Sequence, residues 1–117
     1  MMRAVLELEL IGDDQHALQD WLGWPKGGRP WVARITGLDE RFGFRREFVK
    51  RQMSDYSRAN GIGSRGVYAC YVLKDGIYEV QEQTSWKHRR RYFARVANGQ
   101  ITEITREEAV ACLQRPD

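Results

Sequence analysis

The sequence predicts an α+β fold in which a single domain spans residues 1–117. We expect one curved antiparallel sheet, or a partly closed barrel, of about six strands, with a short helix in the N-terminal half and a C-terminal helix. Three observations predict this class. Apolar and polar residues alternate near the N-terminus, glycine-containing turns separate short β-forming runs, and a capping motif precedes the last apolar segment.

The first predicted strand covers residues 3–11, where Leu6, Leu8 and Leu10 alternate with glutamates. Such alternation is typical of a strand with one buried face. A short amphipathic helix is predicted over residues 14–23, because apolar residues recur there at helical spacing until a Pro- and Gly-containing loop follows.

A second strand is predicted over residues 31–36, with Trp31, Ala33 and Ile35 on one face. A turn is predicted at residues 37–41.

Residues 42–56 fit two interpretations. Phe42, Phe44 and Phe48 would share one face of a strand, but apolar residues also recur there at helical spacing. We favour a strand to about residue 50, because Phe and Val are β-forming residues.

A loop rich in Gly, Ser and Arg is predicted at residues 57–66. Residues 67–73 are almost continuously apolar or aromatic, which is typical of a central strand. The Lys-Asp-Gly sequence at 74–76 predicts a tight turn, so residues 77–83 are expected to return beside this strand as a β-hairpin.

The C-terminal part contains two strong local motifs. Within residues 91–104, the Asn-Gly pair at 98–99 separates two β-forming runs and predicts a hairpin. The Thr-Arg-Glu-Glu sequence at 105–108 is a capping box, which predicts a helix over residues 106–114.

Positive charge is concentrated in two blocks, although the net charge is only +3. Residues 84–95 carry five bases, no acid and three aromatic rings, and residues 21–66 carry ten bases against four acids. Basic side chains beside aromatic rings are suited to binding phosphates and stacking bases. The sequence therefore predicts an anionic partner, first of all nucleic acid or a nucleoprotein complex.

Alternation along the basic segment predicts which of its side chains face inward and which face outward. If residues 86–96 are extended, the inward face carries Tyr92, Ala94 and Val96, and the outward face carries Lys87, Arg89, Arg91, Phe93 and Arg95. The predicted nucleic-acid contacts are Trp86, Lys87, His88, Arg89, Arg90, Arg91, Phe93 and Arg95, together with Arg45, Arg46, Lys50 and Arg51 of the earlier block.

An ordinary solvated strand would explain the same composition. Glu79 and Glu82 precede the basic strand and Glu103 follows it, so cross-strand pairs with arginine would absorb part of the charge. Charged side chains also protect edge strands from aggregation.

The loop sequence at residues 61–66 reads Gly-x-Gly-x-x-Gly. A dinucleotide site requires a helix after this motif, whereas a strand is predicted here, so a Rossmann site is not expected. Glycine-rich backbone can still form an anion-binding nest. The donors of such a nest would be Ser57, Arg58, Ser64 and Arg65. A flexible loop that uses glycine for its φ angles is the alternative.

Catalytic and metal-binding constellations are not recognisable. No nearby Ser, Cys or paired carboxylate forms a recognisable constellation with His16 or His88, and Cys70 and Cys112 lack metal-ligand spacing. We therefore expect a binding protein rather than an enzyme, with no metal or cofactor. No apolar run approaches the roughly 20 residues that span a bilayer, and no signal peptide is recognised. A cytoplasmic location without a membrane partner is expected.

Two stretches carry a loose resemblance. The Trp-Val-Ala-Arg-Ile-Thr-Gly sequence at 31–37 and the pattern at 91–105 resemble small uncharacterised proteins of phages and mobile elements, without the motif of any named family. The resemblance implies a role in modulating a host or its defences, such as an inhibitor that binds a nucleoprotein complex or an acidic protein surface.

Overall fold

The structure is a computed structural model, and it describes residues 3–9, 30–39, 41, 43–53, 68–84 and 88–114. Within these ranges the chain forms eight strands and one helix. They are β1 (Ala4–Glu9), β2 (Trp31–Asp39), β3 (Gly43–Phe48), β4 (Gln52–Met53), β5 (Tyr68–Leu73), β6 (Gly76–Gln83), β7 (Arg89–Ala97), β8 (Gln100–Ile104) and α1 (Arg106–Gln114). The predicted helix at 14–23 and the predicted loop at 57–66 lie outside the described residues.

The strands form two antiparallel sheets. One has three strands in the order β1-β5-β4, and the other has five in the order β3-β2-β6-β7-β8. The α+β class is confirmed, but the expectation of one curved sheet or a partly closed barrel is wrong. The two sheets stack, and α1 packs on the far side of the five-stranded sheet, so the described part has three layers.

The predicted hairpin between residues 67–73 and 77–83 is also wrong. β5 pairs with β1 and β4, whereas β6 pairs with β2 and β7, so the two strands belong to different sheets. Both contribute large buried rings, Tyr71 from β5 and Tyr78 from β6. Stacking the sheets places these rings in one core between the layers, which side-by-side pairing would not do. The short connection at Lys74 and Asp75 is therefore a corner between layers.

The main core lies between the two sheets. Its buried residues are Ala4, Leu8, Val32, Ala69, Tyr71, Leu73, Tyr78, Val80 and Val96. Both tyrosine hydroxyls are bonded, since Tyr71 donates to the carbonyl of Pro30 and Tyr78 to that of Lys74, at 3.3 and 2.7 Å. Pairing these hydroxyls avoids the cost of burying unbonded polar groups.

The second strand is longer than predicted. The turn expected at residues 37–41 is wrong in its first part, because β2 continues to Asp39. A β-bulge between Ile35 and Gly37 shifts the alternation by one residue. Ile35 before the bulge and Leu38 after it therefore both face α1. The strand interpretation of the next segment is confirmed, since residues 43–48 form β3.

Both C-terminal motifs are confirmed. Asn98 and Gly99 have φ angles of 53° and 77° and connect β7 to β8. Positive φ at both central residues matches the twist of a two-residue hairpin. Thr105 and Glu108 form the reciprocal capping box, because each backbone N–H donates to the other's side chain, at 3.0 and 3.1 Å.

The helix α1 covers part of the outer face of the five-stranded sheet, the face turned away from the three-stranded sheet. Ala109 is fully buried there, and Val110, Leu113 and the free thiol of Cys112 pack around it. In the part of the chain that the structure describes, no helix combines the length and the apolar character needed to cross a membrane.

Candidate nucleic-acid interface

The outer face of the five-stranded sheet changes character along β6. Ile77 packs beneath α1, but the next three residues on the same face are Glu79, Gln81 and Gln83, which are only 6%, 3% and 8% exposed. Buried polar side chains on a central strand need hydrogen-bond partners. Glu79 and Gln81 each have an arginine partner from one of the two basic blocks.

Arg46 is the partner of Glu79. It belongs to the basic block at residues 21–66, and its Nε donates to the Glu79 carboxylate at 2.6 Å. Arg46 lies on β3 and Glu79 on β6, so the arginine reaches across β2 to meet it. A charge-assisted bond of this length compensates for the burial of the carboxylate.

Arg91 of the basic strand is a partner of Gln81. Its Nε donates to the Gln81 carbonyl oxygen at 2.8 Å, and the two residues are register neighbours on β7 and β6. The guanidinium carbon also lies 5.3 Å from the centre of the Trp31 ring, within the range of a cation–π contact. Arg91 is thus held in place by neutral partners and keeps its full positive charge.

Trp31 in turn contacts Phe48. Their ring centres are 5.5 Å apart, with the ring planes inclined at 77°. Phe48 is 64% exposed, which is high for such a large apolar side chain. The residues Phe48, Trp31, Gln81 and Arg91 therefore form one continuous row across the sheet, which we call the outer strip.

The two basic blocks converge at this strip. Glu79 and Gln81 are two positions apart on one strand, a separation of about 6–7 Å. The arginine from each block is bonded to one of them. Arg89 lies on the same face of β7, opposite Gln83 in the register, and is exposed. Arg46, Arg89 and Arg91 are thus predicted contact residues that the fold brings together.

Arg90 has the opposite environment. Its neighbour Tyr92 packs against the main core, so Arg90 belongs to the inner face. It forms ion pairs with Glu82, at 3.2 Å, and with Glu103, and stacks on the Tyr92 ring. Its hydrogen bond to Glu82 raises the pKa of the guanidinium. The neutralisation that the sequence offered as an alternative therefore occurs, on this face.

Burial raises the pKa of the Tyr92 phenol, and the Glu82 charge acts in the same direction. The phenol therefore stays neutral beside Arg90. It adds no charge to a cluster in which one arginine already faces two carboxylates.

Three other predicted contact residues interact with other parts of the fold. Phe93 lies on the outer face as expected, but its half-buried ring is 5.0 Å from that of Phe44, close to α1, so it belongs to a core and offers no free stacking surface. Arg95 is exposed close to Glu108 of α1. The hydrogen bonds with Thr105 chiefly lower the pKa of the Glu108 carboxyl, and the Arg95 charge acts in the same direction. Arg45 donates to the carbonyl of Leu38 at 3.4 Å.

The remaining predicted residues divide into two groups. Lys50 and Arg51 lie where the chain passes from β3 to β4, and His88 is exposed just before β7. Outside the described residues lie Trp86, Lys87, Ser57, Arg58, Ser64 and Arg65.

Sequence reasoning missed Phe48 and Gln81, and it did not place Trp31 among the nucleic-acid contacts. Two features of the sequence point to them in retrospect. Glutamate and glutamine recur at alternate positions of an otherwise apolar strand, and Trp31 becomes the register neighbour of Gln81 once β2 is paired with β6. That pairing depends on topology, which the local pattern did not contain.

Comparison with known proteins adds no relative. No protein-family model, curated protein or solved structure matches the chain.

Proposed function

We propose that the chain is a non-enzymatic nucleic-acid-binding module whose outer strip contacts a single strand. The observation that carries this is the exposed Phe48 ring, which continues through Trp31 to the cationic Arg91. Bases would stack on the aromatic end, and phosphates would bind Arg91 and Arg89. Stacking surfaces beside arginine are the usual means of holding single strands without reading their sequence.

The spacing along β7 supports this proposal. Arg89 and Arg91 lie on the same face of a strand, about 6–7 Å apart, which is comparable to the phosphate spacing of an extended single strand. Neither forms an ion pair within the described part of the chain. Their charges are therefore available to a polyanion, unlike that of Arg90.

The geometry favours a single strand over a duplex. A duplex buries its bases, so Phe48 would find no base to stack on. A single strand exposes every base, and the row of side chains crosses several strands of the sheet on one face.

Fluorescence anisotropy with labelled 20-nucleotide DNA and RNA, single- and double-stranded, at 25 to 300 mM salt would test the proposal. Arg89→Gln/Arg91→Gln should weaken single-strand binding about tenfold or more and reduce the salt slope by roughly 1.4, since each lost phosphate contact on a single strand accounts for about 0.7. Phe48→Ala should weaken binding severalfold without changing the slope.

Arg90→Gln is the matched control for the single variant Arg91→Gln, because each removes one positive charge from β7, on opposite faces. We expect less than about a twofold change. Absence of binding by the unmodified chain at 25 mM salt would refute the proposal, and so would an Arg90→Gln effect as large as that of Arg91→Gln.

A protein partner is the other outcome that the same face allows, because Trp, Phe and Arg also anchor protein interfaces. The phage-like resemblance points in this direction. Affinity capture with and without nuclease separates the two outcomes. A partner retained after nuclease, combined with no oligonucleotide binding, would favour an acidic protein surface.

A further inference from the structure

A second basic region lies at the edge of the molecule, away from Arg89 and Arg91. It is a cleft of about 490 Å³ between the end of β5, the end of β3 and the middle of β6. This volume is in the range of small-ligand sites. Its polar lining consists of Arg3, Arg34, Lys50, Lys74, Glu47 and Tyr78.

The cleft exists because the chain changes sheets here. The Val49 N–H makes a backbone bond to the Val32 carbonyl at 2.8 Å, and the chain then passes to β4 in the other sheet. β4 pairs with β5 only at Ala69 and Cys70. The end of β5 is therefore not paired by β4 beside the crossing, and the cleft opens at this edge.

The charge of the cleft is strongly positive. Four cationic side chains face a single carboxylate, that of Glu47. Among the described residues, no ion pair engages Arg3, Lys50 or Lys74. Arg90 and Arg46 form ion pairs with carboxylates elsewhere in the fold, whereas within the described ranges Arg3, Lys50 and Lys74 do not.

Arg34 is positioned by a backbone carbonyl. Its Nη2 donates to the carbonyl of Asp75 at 3.4 Å, and its guanidinium lies against Gly76. A Cβ at Gly76 would be 3.2 Å from the Arg34 Nε, so glycine leaves room for the side chain. The corner between β5 and β6 thus positions Arg34 through a neutral carbonyl, which does not offset the charge of the guanidinium.

Tyr78 adds a neutral polar wall. Its hydroxyl donates to the Lys74 carbonyl at 2.7 Å, which leaves the oxygen free to accept a further bond. Burial raises the pKa of the phenol against the opposing effect of Arg34. The phenol therefore does not add a negative charge at neutral pH.

The cleft also has an apolar side. Phe48 and Val72 line it and are 64% and 39% exposed. A flat ring would bury their surface, and a phosphate monoester, with its charge of about −1.5 to −2, would bind the cations. The Glu47 carboxylate would accept a hydrogen bond from a hydroxyl or amino group of the same ligand.

We propose that this cleft binds a nucleoside monophosphate, either free or as the 5′-phosphorylated end of a strand. The proposal does not depend on nucleic-acid binding by the outer strip. Phe48 is the one side chain that contributes to both surfaces, so the charged residues of the cleft are the ones that separate them.

Isothermal titration of the full chain with 5′-AMP, adenosine and inorganic phosphate tests the proposal. We expect 5′-AMP to bind at least about tenfold more tightly than adenosine, because the phosphate supplies the charge-assisted bonds. Arg3→Gln/Lys74→Gln should reduce 5′-AMP affinity about tenfold or more. The control Arg41→Gln/Arg95→Gln removes the same charge from exposed positions outside the cleft lining and should change it less than about twofold.

Two further arms define the ligand. Phe48→Ala should weaken 5′-AMP binding but leave inorganic phosphate binding unchanged, since only the ring contact is lost. A 5′-phosphorylated oligonucleotide that binds more tightly than its 5′-hydroxyl form, with the difference lost in Arg3→Gln/Lys74→Gln, would identify a strand end. Equal binding of the two oligonucleotides, with 5′-AMP bound, would identify the free nucleotide.

The proposal is overturned if 5′-AMP binds no more tightly than adenosine, or if Arg3→Gln/Lys74→Gln leaves its affinity unchanged. Neither result touches the outer strip, whose own test uses Arg89→Gln/Arg91→Gln with oligonucleotides that carry no 5′-phosphate. The two failures are therefore distinguishable.

Discussion

The outer face of the five-stranded sheet has two halves that the same strands build. In the half under α1, β6 and β7 present Ile77 and Phe93, and Phe44 packs against them. Two residues after Ile77 on β6 and two residues before Phe93 on β7, the same face presents Glu79 and Arg91, and the outer strip begins there. We call these the covered half and the strip half. Alternation alone fixed which face each residue occupies, and the change of residue type along the strand separates packing from candidate binding surface.

Basic residues that are clustered in the sequence do not all belong to one basic surface patch. Arg90 and Arg91 are adjacent, yet one is neutralised by two glutamates and the other is held by an amide and an indole. Because successive side chains of a strand point to opposite faces, the two arginines lie on opposite faces of the sheet. Within β7, only residues of one parity share a face of the sheet.

The largest expected effect comes from the covered half. Phe93→Ala should lower the free energy of unfolding by about 3 kcal/mol, because it removes a ring that packs between Phe44 and the apolar side of α1. Urea denaturation measures this loss. Phe93→Leu should cost less, and neither variant should change oligonucleotide affinity per folded molecule. A pure affinity loss with unchanged stability would place Phe93 in the binding surface instead.

The next effect lies at the boundary between the halves. Arg46→Ala should cost about 2 kcal/mol of stability, because it leaves the Glu79 carboxylate, whose side chain is 8% exposed, buried without its ion pair. Adding Glu79→Gln should recover much of that loss, since the neutral amide is less costly to bury. Chemical denaturation of the two single variants and the double variant completes the cycle. Additive losses would show that the pair is not coupled.

A smaller effect is expected from the cap of α1. Thr105→Ala should cost about 1 kcal/mol, because the Glu108 N–H loses the hydroxyl that accepts its hydrogen bond. Thr105→Ser keeps the acceptor and should retain most of the stability. Thermal unfolding followed by circular dichroism checks both variants. The strip half should be unaffected, so a parallel loss of oligonucleotide binding would contradict the separation of the two halves.

The smallest effect is a pH dependence at the same cap. The hydrogen bond from the Thr105 N–H lowers the pKa of the Glu108 carboxyl below its usual value. A lowered folded pKa gives stability that is present above the unfolded pKa and is lost as the pH falls through the folded one. Glu108→Gln should therefore be less stable than the unmodified chain at neutral pH, and the difference should close as the pH falls below about 4. A difference independent of pH from 7 to 2.5 would exclude the charge as its origin.

The elements that local interactions specify could be predicted from the sequence. The capping box and the Asn98–Gly99 turn involve groups within four residues of each other, so a short window contains all the relevant chemistry. The parity of Arg89 and Arg91 followed from alternation alone. Neutralisation of the basic strand by Glu79, Glu82 and Glu103 is the alternative that the sequence predicts, and it is confirmed in part: Glu82 and Glu103 pair with Arg90, whereas Glu79 pairs with Arg46 of β3.

The elements that depend on distant partners were missed. A tight turn at Lys74 and Asp75 is compatible with a hairpin and equally with a corner between stacked sheets, and only the pairing of β5 with β1 decides between them. The bulge after Ile35 has no distinctive sequence pattern. The basic cleft combines Arg3, Arg34 and Lys74 from three separate segments, so no local sequence motif predicts it.

The register of β1 on β5 has a kinetic consequence. Ala4 pairs with Leu73 and Glu9 with Tyr68, so the three-stranded sheet closes a loop that contains more than half of the chain. The β6-β7-β8 meander needs only short loops and can form early, whereas the N-terminal strand must wait for a slow search. The rate-limiting barrier to folding is therefore expected to lie in docking β1. Mutations at Leu8 would then slow refolding, and those at the β7-β8 turn would chiefly alter the earlier steps.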